Sequence, residues 1–117
     1  MKEEKIYFTI NGVNMFHGIK PFKIGSIVKL VKEPENDYDS EAIRVELRYA
    51  GPSGYVANSV KTVAKGTYSG GRLYDKILDT DYGRIIFILN DSLIAEVLTK
   101  DELEKEKNDV DSDINFI

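Results

Sequence analysis

Residues 43–49 alternate strictly between apolar and charged side chains. Ile43, Val45, Leu47 and Tyr49 fall on one face, and Arg44, Glu46 and Arg48 fall on the other. This two-residue period indicates a β-strand with one buried face and one solvated face. Such a strand needs partner strands, and a chain of 117 residues has room for one small domain to hold them.

Several other short segments also have the composition of strands, and they follow one another at intervals of roughly 8–12 residues. We predict strands over residues 5–11, 26–33, 42–49, 55–56, 73–78, 84–89 and 93–98. Residues 51–54, which read Gly-Pro-Ser-Gly, are predicted to form a turn. The pattern therefore predicts a mostly β fold, a small barrel or sandwich of six or seven strands.

One or two short helices are expected beside these strands. Residues 60–65 follow a possible cap at Ser59 and end at Gly66, which predicts a short helix there. Thr99 and Glu102 have the spacing of a capping box, which predicts a second helix after the last strand. Residues 68–72, with their Gly-Gly pair, are predicted to be a loop.

Charge divides the chain unequally. The whole sequence has 16 basic and 20 acidic residues, and residues 101–117 hold seven carboxylates against two lysines. We therefore predict a barrel domain over residues 1–100, close to neutral, and an acidic helix or tail over residues 101–117. The tail is expected to be solvated and partly disordered, with masking of a basic groove as the functional alternative.

Several function classes are excluded by what the sequence lacks. There is no cysteine and one histidine, His17, so a disulfide scaffold, thiolate-bound zinc and a cysteine nucleophile are excluded. No signal peptide or run of ~20 apolar residues is evident, which favours a cytoplasmic protein with no membrane contact. No nucleotide-binding, zinc-protease or nucleophile-elbow motif occurs, so we expect no catalytic residue, metal or cofactor. His17 is expected to form a hydrogen bond or face solvent.

Residues 33–45 carry a more specific pattern, E-P-x-N-x-Y-D-x-x-A-I-x-V. With it occur a glycine, an aromatic residue and a second glycine at positions 12, 16 and 18, the segment Phe-Lys-Ile-Gly at 22–25, and Gly-Tyr-Val at 54–56. Over residues 5–98 the chain resembles the HIRAN domain, found in certain SWI2/SNF2-type DNA remodelling helicases and as free-standing bacterial and phage proteins. Residues 54–59 and 70–75 are most similar to the free-standing bacterial branch.

The resemblance implies an OB-like β-barrel that binds the 3′ end of single-stranded DNA in a surface pocket and acts in DNA repair or processing. By its place in the motif, Asp39 would accept a hydrogen bond from a 3′-hydroxyl and repel a 3′-phosphate. Tyr38 would stack on a terminal base, and Asn36 would bind phosphate or sugar. Tyr55 lies where the helicase branch has an imidazole near the nucleic-acid backbone.

The sequence departs from the helicase branch at two places. Asn14 and Met15 stand where that branch has arginine and tyrosine, and Phe16 can replace the lost ring. Asn58 stands where that branch has a lysine, and Lys61 or Arg72 can restore a phosphate contact. These departures imply weaker and more salt-sensitive binding, or a different ligand.

Two alternatives stay open at this point. Asn36 and Asp39 can simply hold a turn through side-chain bonds to the backbone, with Tyr38 packed over a barrel end. The chain can also be a protein-interaction or regulatory module that keeps the barrel without binding DNA, with a partner such as a helicase or nuclease. The acidic loop and the Asn14-Met15 pair favour this second possibility.

Overall fold

Six antiparallel strands close into a barrel in the computed structural model, which describes residues 4–117. The strands are β1 (Tyr7–Asn11), β2 (Ile27–Glu33), β3 (Ala42–Leu47), β4 (Gly51–Val56), β5 (Thr80–Ile88) and β6 (Leu93–Val97). They are hydrogen-bonded around the barrel in the order β1-β4-β3-β2-β5-β6, and β6 pairs with β1 to complete it. The helices are α1 (Gly70–Tyr74) and α2 (Lys100–Asn108), with 3-10 turns at Val13–Met15 and Asp113–Phe116. The predicted fold class, a small mostly β barrel, is confirmed.

Alternation along β3 determines how the barrel is filled. Ile43, Val45 and Leu47 point inward and are buried, and they join a continuous apolar core contributed by all six strands. Arg44 and Glu46 point outward and form an ion pair on the barrel surface. The strand therefore supplies both a core face and a polar outer face, as its period predicted.

The predicted turn at residues 51–54 is wrong, because these residues form most of β4. The reversal lies earlier, where Tyr49 adopts a left-handed φ of 73°. The β3–β4 register shifts between Val45 and Glu46, so Pro52 sits beside a bulge, where its missing N–H is tolerated. A Cβ on Gly54 would lie 3.0 Å from the Asn11 carbonyl oxygen, so this glycine permits a close strand approach.

The predicted helix at residues 60–65 is also wrong. Ser59 starts a single turn, after which the Ala64 N–H bonds to the Thr9 side chain at 3.1 Å and so ties the segment to the barrel. Val60, expected on an apolar helix face, is 96% exposed.

A helix forms instead where a loop and a strand were predicted. Ser69 caps α1, and Leu73 is fully buried beneath it. The helix ends at Tyr74, and the Lys76 N–H bonds to the Leu73 carbonyl oxygen in a turn that leads to the buried Ile77, so the strand predicted over residues 73–78 is wrong. The next strand, β5, begins at Thr80, four residues earlier than predicted.

The acidic end of the chain is folded against the barrel, contrary to the expected solvated tail. The capping box is confirmed, since the Glu102 carboxylate accepts the Thr99 N–H at 2.9 Å and the Thr99 hydroxyl accepts the Glu102 N–H at 3.3 Å. Beyond α2, Ile114 packs on Ile27 and Leu98 in a second apolar cluster. The Arg48 guanidinium lies 3.7 Å above the ring of Phe116, within this same terminal segment.

The single histidine and the lengths of the helices also bear on the sequence predictions. His17 Nε2 lies 3.0 Å from the Ala50 carbonyl oxygen, so the histidine makes a loop-to-loop hydrogen bond as expected. Within residues 4–117, the helices are too short and too polar to cross a membrane.

Candidate functional site

A groove of about 480 Å³ lies on the outside of the barrel, where β3 and β4 meet the segment after β1 and the loop between β2 and β3. OB-type barrels in general bind oligonucleotides on a strand face flanked by loops. Five of the nine candidate side chains line this groove: Phe16, Asn36, Tyr38, Asp39 and Tyr55. The structure therefore brings most of the proposed site together from three separate parts of the sequence.

The loop at residues 34–41 is shaped by its own side chains. The Asn36 Oδ1 atom accepts the N–H groups of Tyr38 at 2.9 Å and Asp39 at 3.1 Å. The Asp39 Oδ1 atom accepts the Glu41 N–H at 2.9 Å. Asn36 and Asp39 thus do hold the turn, as one alternative predicted. Tyr38 does not pack over the barrel end, because its side chain is 98% exposed.

Asp39 is fixed from a second side as well. Its Oδ2 atom accepts the amide of Asn58 at 2.9 Å, and the Asn58 Oδ1 atom accepts the Gly71 N–H at 2.8 Å. A carboxylate has about four acceptor positions, so each oxygen of Asp39 can still take one external donor. The result is a fixed negative group at the groove, connected through Asn58 to the start of α1.

Below the loop, Glu33 accepts three hydrogen bonds. Its Oε1 atom accepts the Tyr55 hydroxyl at 2.8 Å and the Asn36 amide at 3.0 Å, and its Oε2 atom pairs with the Arg44 guanidinium. The same guanidinium donates to Glu46 at 2.6 Å. Sequence reasoning missed Glu33 and Arg44, although Glu33 opens the 33–45 motif and Arg44 lies on the outward face of β3.

This network shifts the pKa values of Glu33 and Tyr55, the two residues at its centre. Burial alone would raise the pKa of Glu33, but the hydrogen bonds from Asn36, Tyr55 and Arg44 outweigh it and hold that pKa below its ordinary value. The pKa of Tyr55 is raised, first by burial and then by its hydrogen bond to Glu33. At neutral pH, Glu33 is therefore an ionised acceptor and Tyr55 a neutral donor.

Stability should depend on pH through Glu33. Because its folded pKa is depressed, its contribution is fully present above the ordinary value of 4.5 and is lost as the pH falls through the folded value. We expect Glu33→Gln to lower the free energy of unfolding by about 1–2 kcal/mol at pH 7. This difference from wild type should shrink towards pH 3 in urea titrations.

Glu35→Gln is the matched control for this titration. Glu35 is exposed in the adjoining loop, and within residues 4–117 it makes no ion pair. If Glu33→Gln lowered the free energy of unfolding by the same amount at pH 7 and at pH 3, the role of the ionised carboxylate would be contradicted.

Aromatic and apolar side chains form the rest of the groove. The rings of Phe16 and Tyr55 are 6.0 Å apart between centroids and tilted by 42°. Tyr38 stands exposed at the other side, and Met15 is 73% exposed at the border. Exposed ring faces beside a fixed carboxylate can hold a flat, partly apolar group that carries a hydrogen-bond donor.

The other four candidate residues lie outside the groove itself. Asn14 and Lys61 line an adjoining groove of about 390 Å³, and Met15 borders both grooves. Asn58 lies behind Asp39 as its hydrogen-bond partner. Arg72 lines neither groove, since its guanidinium lies over the ring of Tyr68 at 4.4 Å. Across residues 4–117, histidine, aspartate and glutamate side chains form no group of three that could hold a metal ion.

Comparisons with known proteins give one matching family model and two structural neighbours. The HIRAN domain family model matches residues 4–73, a range that includes all nine candidate side chains. The crystal structure of the HIRAN domain of human HLTF is similar with a TM-score of 0.57 and 15% identity, covering 86% of this chain and 81% of that chain. The crystal structure of a Lactobacillus plantarum protein is similar with a TM-score of 0.53 and 19% identity, covering 80% of this chain and 95% of that chain. A search of curated proteins finds no match.

Proposed function

The chain belongs to the HIRAN domain family, a family of nucleic-acid-binding modules, and from this premise we propose that its groove binds the 3′-hydroxyl end of single-stranded DNA. In this proposal the chain is a non-catalytic module that acts in DNA repair or processing. A helicase or nuclease is the kind of enzyme it would work beside. The same nine side chains are proposed to form the interface.

The fixed carboxylate of Asp39 is the observation that carries the proposal. A free 3′-hydroxyl is a hydrogen-bond donor, and Asp39 keeps acceptor capacity while two hydrogen bonds hold it in place. A 3′-phosphate offers only acceptors and negative charge, so it would be repelled. Fixing the carboxylate before binding also reduces the entropy that must be lost when the ligand is ordered.

Ring faces at the groove support binding of bases. Tyr38 is 98% exposed in the 34–41 loop. Phe16 lies on the opposite side of the groove from this loop. Stacking of a base on such a ring contributes about 1–3 kcal/mol and does not depend strongly on base identity. The groove is therefore suited to a strand end of any sequence.

Phosphate contacts are few in this proposal, which makes the expected binding weak. Lys61 lines the adjoining groove, while Glu35 and Asp37 add negative charge to the loop beside the site. For single strands the logarithm of affinity falls by about 0.7 per phosphate contact for each tenfold rise in salt. We expect a shallow slope, equivalent to one or two contacts.

The test measures fluorescence anisotropy of one 5′-labelled oligonucleotide that ends in either a 3′-hydroxyl or a 3′-phosphate. Wild type should prefer the hydroxyl by roughly tenfold or more, since a hydrogen bond to a charged group contributes about 1.5–3 kcal/mol and 1.4 kcal/mol is tenfold. Asp39→Asn should reduce this preference to about threefold or less, because it removes the charge that repels phosphate.

Asp37→Asn is the matched control. Asp37 lies in the same loop and carries the same charge, but it does not line the groove. It should keep the preference of wild type. Equal binding of the two ends by wild type would overturn the proposal, and equal loss in both variants would show that general charge, not Asp39, discriminates.

A second candidate function is a protein-interaction module. It is favoured by one observation, that no lysine or arginine is among the described residues that line the groove. An acidic groove with aromatic walls complements a basic peptide side chain. Failure to bind either oligonucleotide at low salt would favour this candidate.

A further inference from the structure

We infer that Glu33 sets the hydrogen-bonding polarity of the groove by fixing which way the Tyr55 hydroxyl points. Tyr55 then offers an incoming ligand only the lone pairs of its oxygen. Glu33 acts through Tyr55 and is a positioning residue that determines specificity. The inference rests on the proposed function, because it concerns which chemical groups the groove accepts at the end of a strand.

The Tyr55 hydroxyl can donate in one direction only. A tyrosine hydroxyl has a single hydrogen, and that of Tyr55 is donated to the Glu33 Oε1 atom at 2.8 Å. An ionised carboxylate has no hydrogen to give back. The direction of this bond is therefore fixed, and the oxygen of Tyr55 remains available only as an acceptor.

Hydrogen-bond donors around the carboxylate keep Glu33 ionised. The Arg44 guanidinium pairs with its Oε2 atom, and the Asn36 amide donates to its Oε1 atom at 3.0 Å. Every neighbour that bonds to this carboxylate is a donor, which favours the charged form. The depressed pKa of Glu33 and the raised pKa of Tyr55 agree with this direction.

Tyr55 and Asp39 together give the groove two fixed acceptors. Both line the groove, both are held by hydrogen bonds, and both present acceptors. Asn36 also lines the groove; its Oδ1 atom accepts two backbone N–H groups and its amide uses one of two hydrogens within the network, so one fixed amide hydrogen remains. The side chains of Asn11 and Tyr38 make no hydrogen bond to the part of the chain that the structure describes, so nothing fixes their direction. The fixed acceptors of Tyr55 and Asp39 outnumber this single amide hydrogen, so the groove favours a ligand end that carries donors and disfavours one that carries phosphate oxygens.

Glu33→Gln should reverse this polarity. The glutamine carbonyl oxygen is drawn to the charged Arg44 guanidinium, which turns the amide nitrogen towards Tyr55 and leaves the Asn36 amide without the acceptor it has in wild type. The Tyr55 oxygen then accepts from this amide, and its hydrogen becomes free to donate into the groove. A 3′-phosphate gains a donor in the variant, whereas a 3′-hydroxyl loses an acceptor.

The experiment measures the ratio of affinities for the 3′-hydroxyl and 3′-phosphate oligonucleotides in wild type, Glu33→Gln and Glu46→Gln. Glu46 is the matched control, because it also pairs with Arg44, at 2.6 Å, on the same outer face but does not bond to Tyr55. We expect Glu33→Gln to lower the ratio by roughly 5–10-fold, the effect of one hydrogen bond, and Glu46→Gln to leave it within about twofold of wild type.

A double variant tests whether the effect passes through the hydroxyl. In a Tyr55→Phe background the oxygen is absent, so adding Glu33→Gln should leave the ratio unchanged. Urea unfolding of each variant confirms that the proteins compared are folded. This readout is a selectivity ratio, which a loss of stability alone does not move.

Three outcomes would overturn the inference. The ratio in Glu33→Gln can stay as in wild type, it can fall equally in Glu46→Gln, or its fall can persist in the Tyr55→Phe background. In each case a wild type that still prefers the hydroxyl end leaves the proposed function standing. A wild type that binds both ends equally overturns the proposed function and this inference together.

Discussion

Phe8→Ala is expected to lower the free energy of unfolding by about 3–5 kcal/mol, as for other buried phenylalanines. The ring is fully buried at the centre of the barrel. It also fills the space beside Gly83, where an added Cβ would lie 2.9 Å from the ring. The neighbouring strands are fixed by their ladders and cannot collapse into the cavity. Urea unfolding followed by circular dichroism measures the loss.

Phe87→Ala serves as the control for this prediction, because Phe87 lies on β5 but its side chain is 60% exposed. A surface change of this kind should stay within about 0.5 kcal/mol of wild type. A loss below about 1 kcal/mol in Phe8→Ala, or equal losses in the two variants, would show that the Phe8 ring does not organise the core.

Tyr38→Ala should weaken binding of single-stranded DNA by roughly 5–150-fold, the equivalent of the 1–3 kcal/mol that a stacked base contributes. The side chain is 98% exposed, so its removal should leave the free energy of unfolding unchanged. At this position we therefore expect the affinity for DNA to fall while the free energy of unfolding stays the same. Anisotropy titration and urea unfolding of the same preparation measure both.

Tyr49→Ala provides the comparison for this second prediction. Tyr49 is 91% exposed and follows β3 at the far end from Ala42, which lines the groove. Its removal should not change the affinity for DNA. An affinity of Tyr38→Ala close to that of wild type would show that no base stacks on Tyr38, and an equal loss in both variants would point to nonspecific aromatic contacts.

Elements defined by local pattern could be predicted from the sequence. The two-residue period of β3 gave its inward and outward faces, and the spacing of Thr99 and Glu102 gave the start of α2. Both depend on neighbours within a few residues, so the sequence contains the whole signal. The turn of the 34–41 loop is similar, since Asn36 bonds to backbone only two and three residues away.

Elements defined by tertiary contact could not be predicted in this way. Gly70 and Gly71 read as a loop because glycine disfavours helices, yet the Gly71 N–H at the start of α1 is bonded to the Asn58 side chain at 2.8 Å, thirteen residues away in the sequence. Helix α1 is stabilised by the burial of Leu73 and not by its own propensity. Likewise, Gly54 is required in β4 by the backbone of β1, a neighbour more than forty residues away in the sequence.

In the candidate site, too, some residues could be predicted from local sequence motifs and others depend on tertiary contacts. Phe16, Tyr38 and Asp39 belong to short motifs, and the structure brings them to one groove. The roles of Glu33 and Asn58 come from partners 22 and 19 residues away, Tyr55 and Asp39. The pairing of β2, β3 and β4 brings these partners into contact, so local sequence spacing could not predict the two hydrogen bonds.

Closure of the barrel limits how this chain can join another. Because β6 pairs with β1, each of the six described strands has a hydrogen-bonded neighbour on both sides, although β1 and β4 pair over two residues only. Little strand edge is therefore left for a partner protein or a second copy to extend the sheet, as many peptide-binding domains allow. We expect association mainly through side chains and loops, where single substitutions can change the choice of partner without disturbing the barrel.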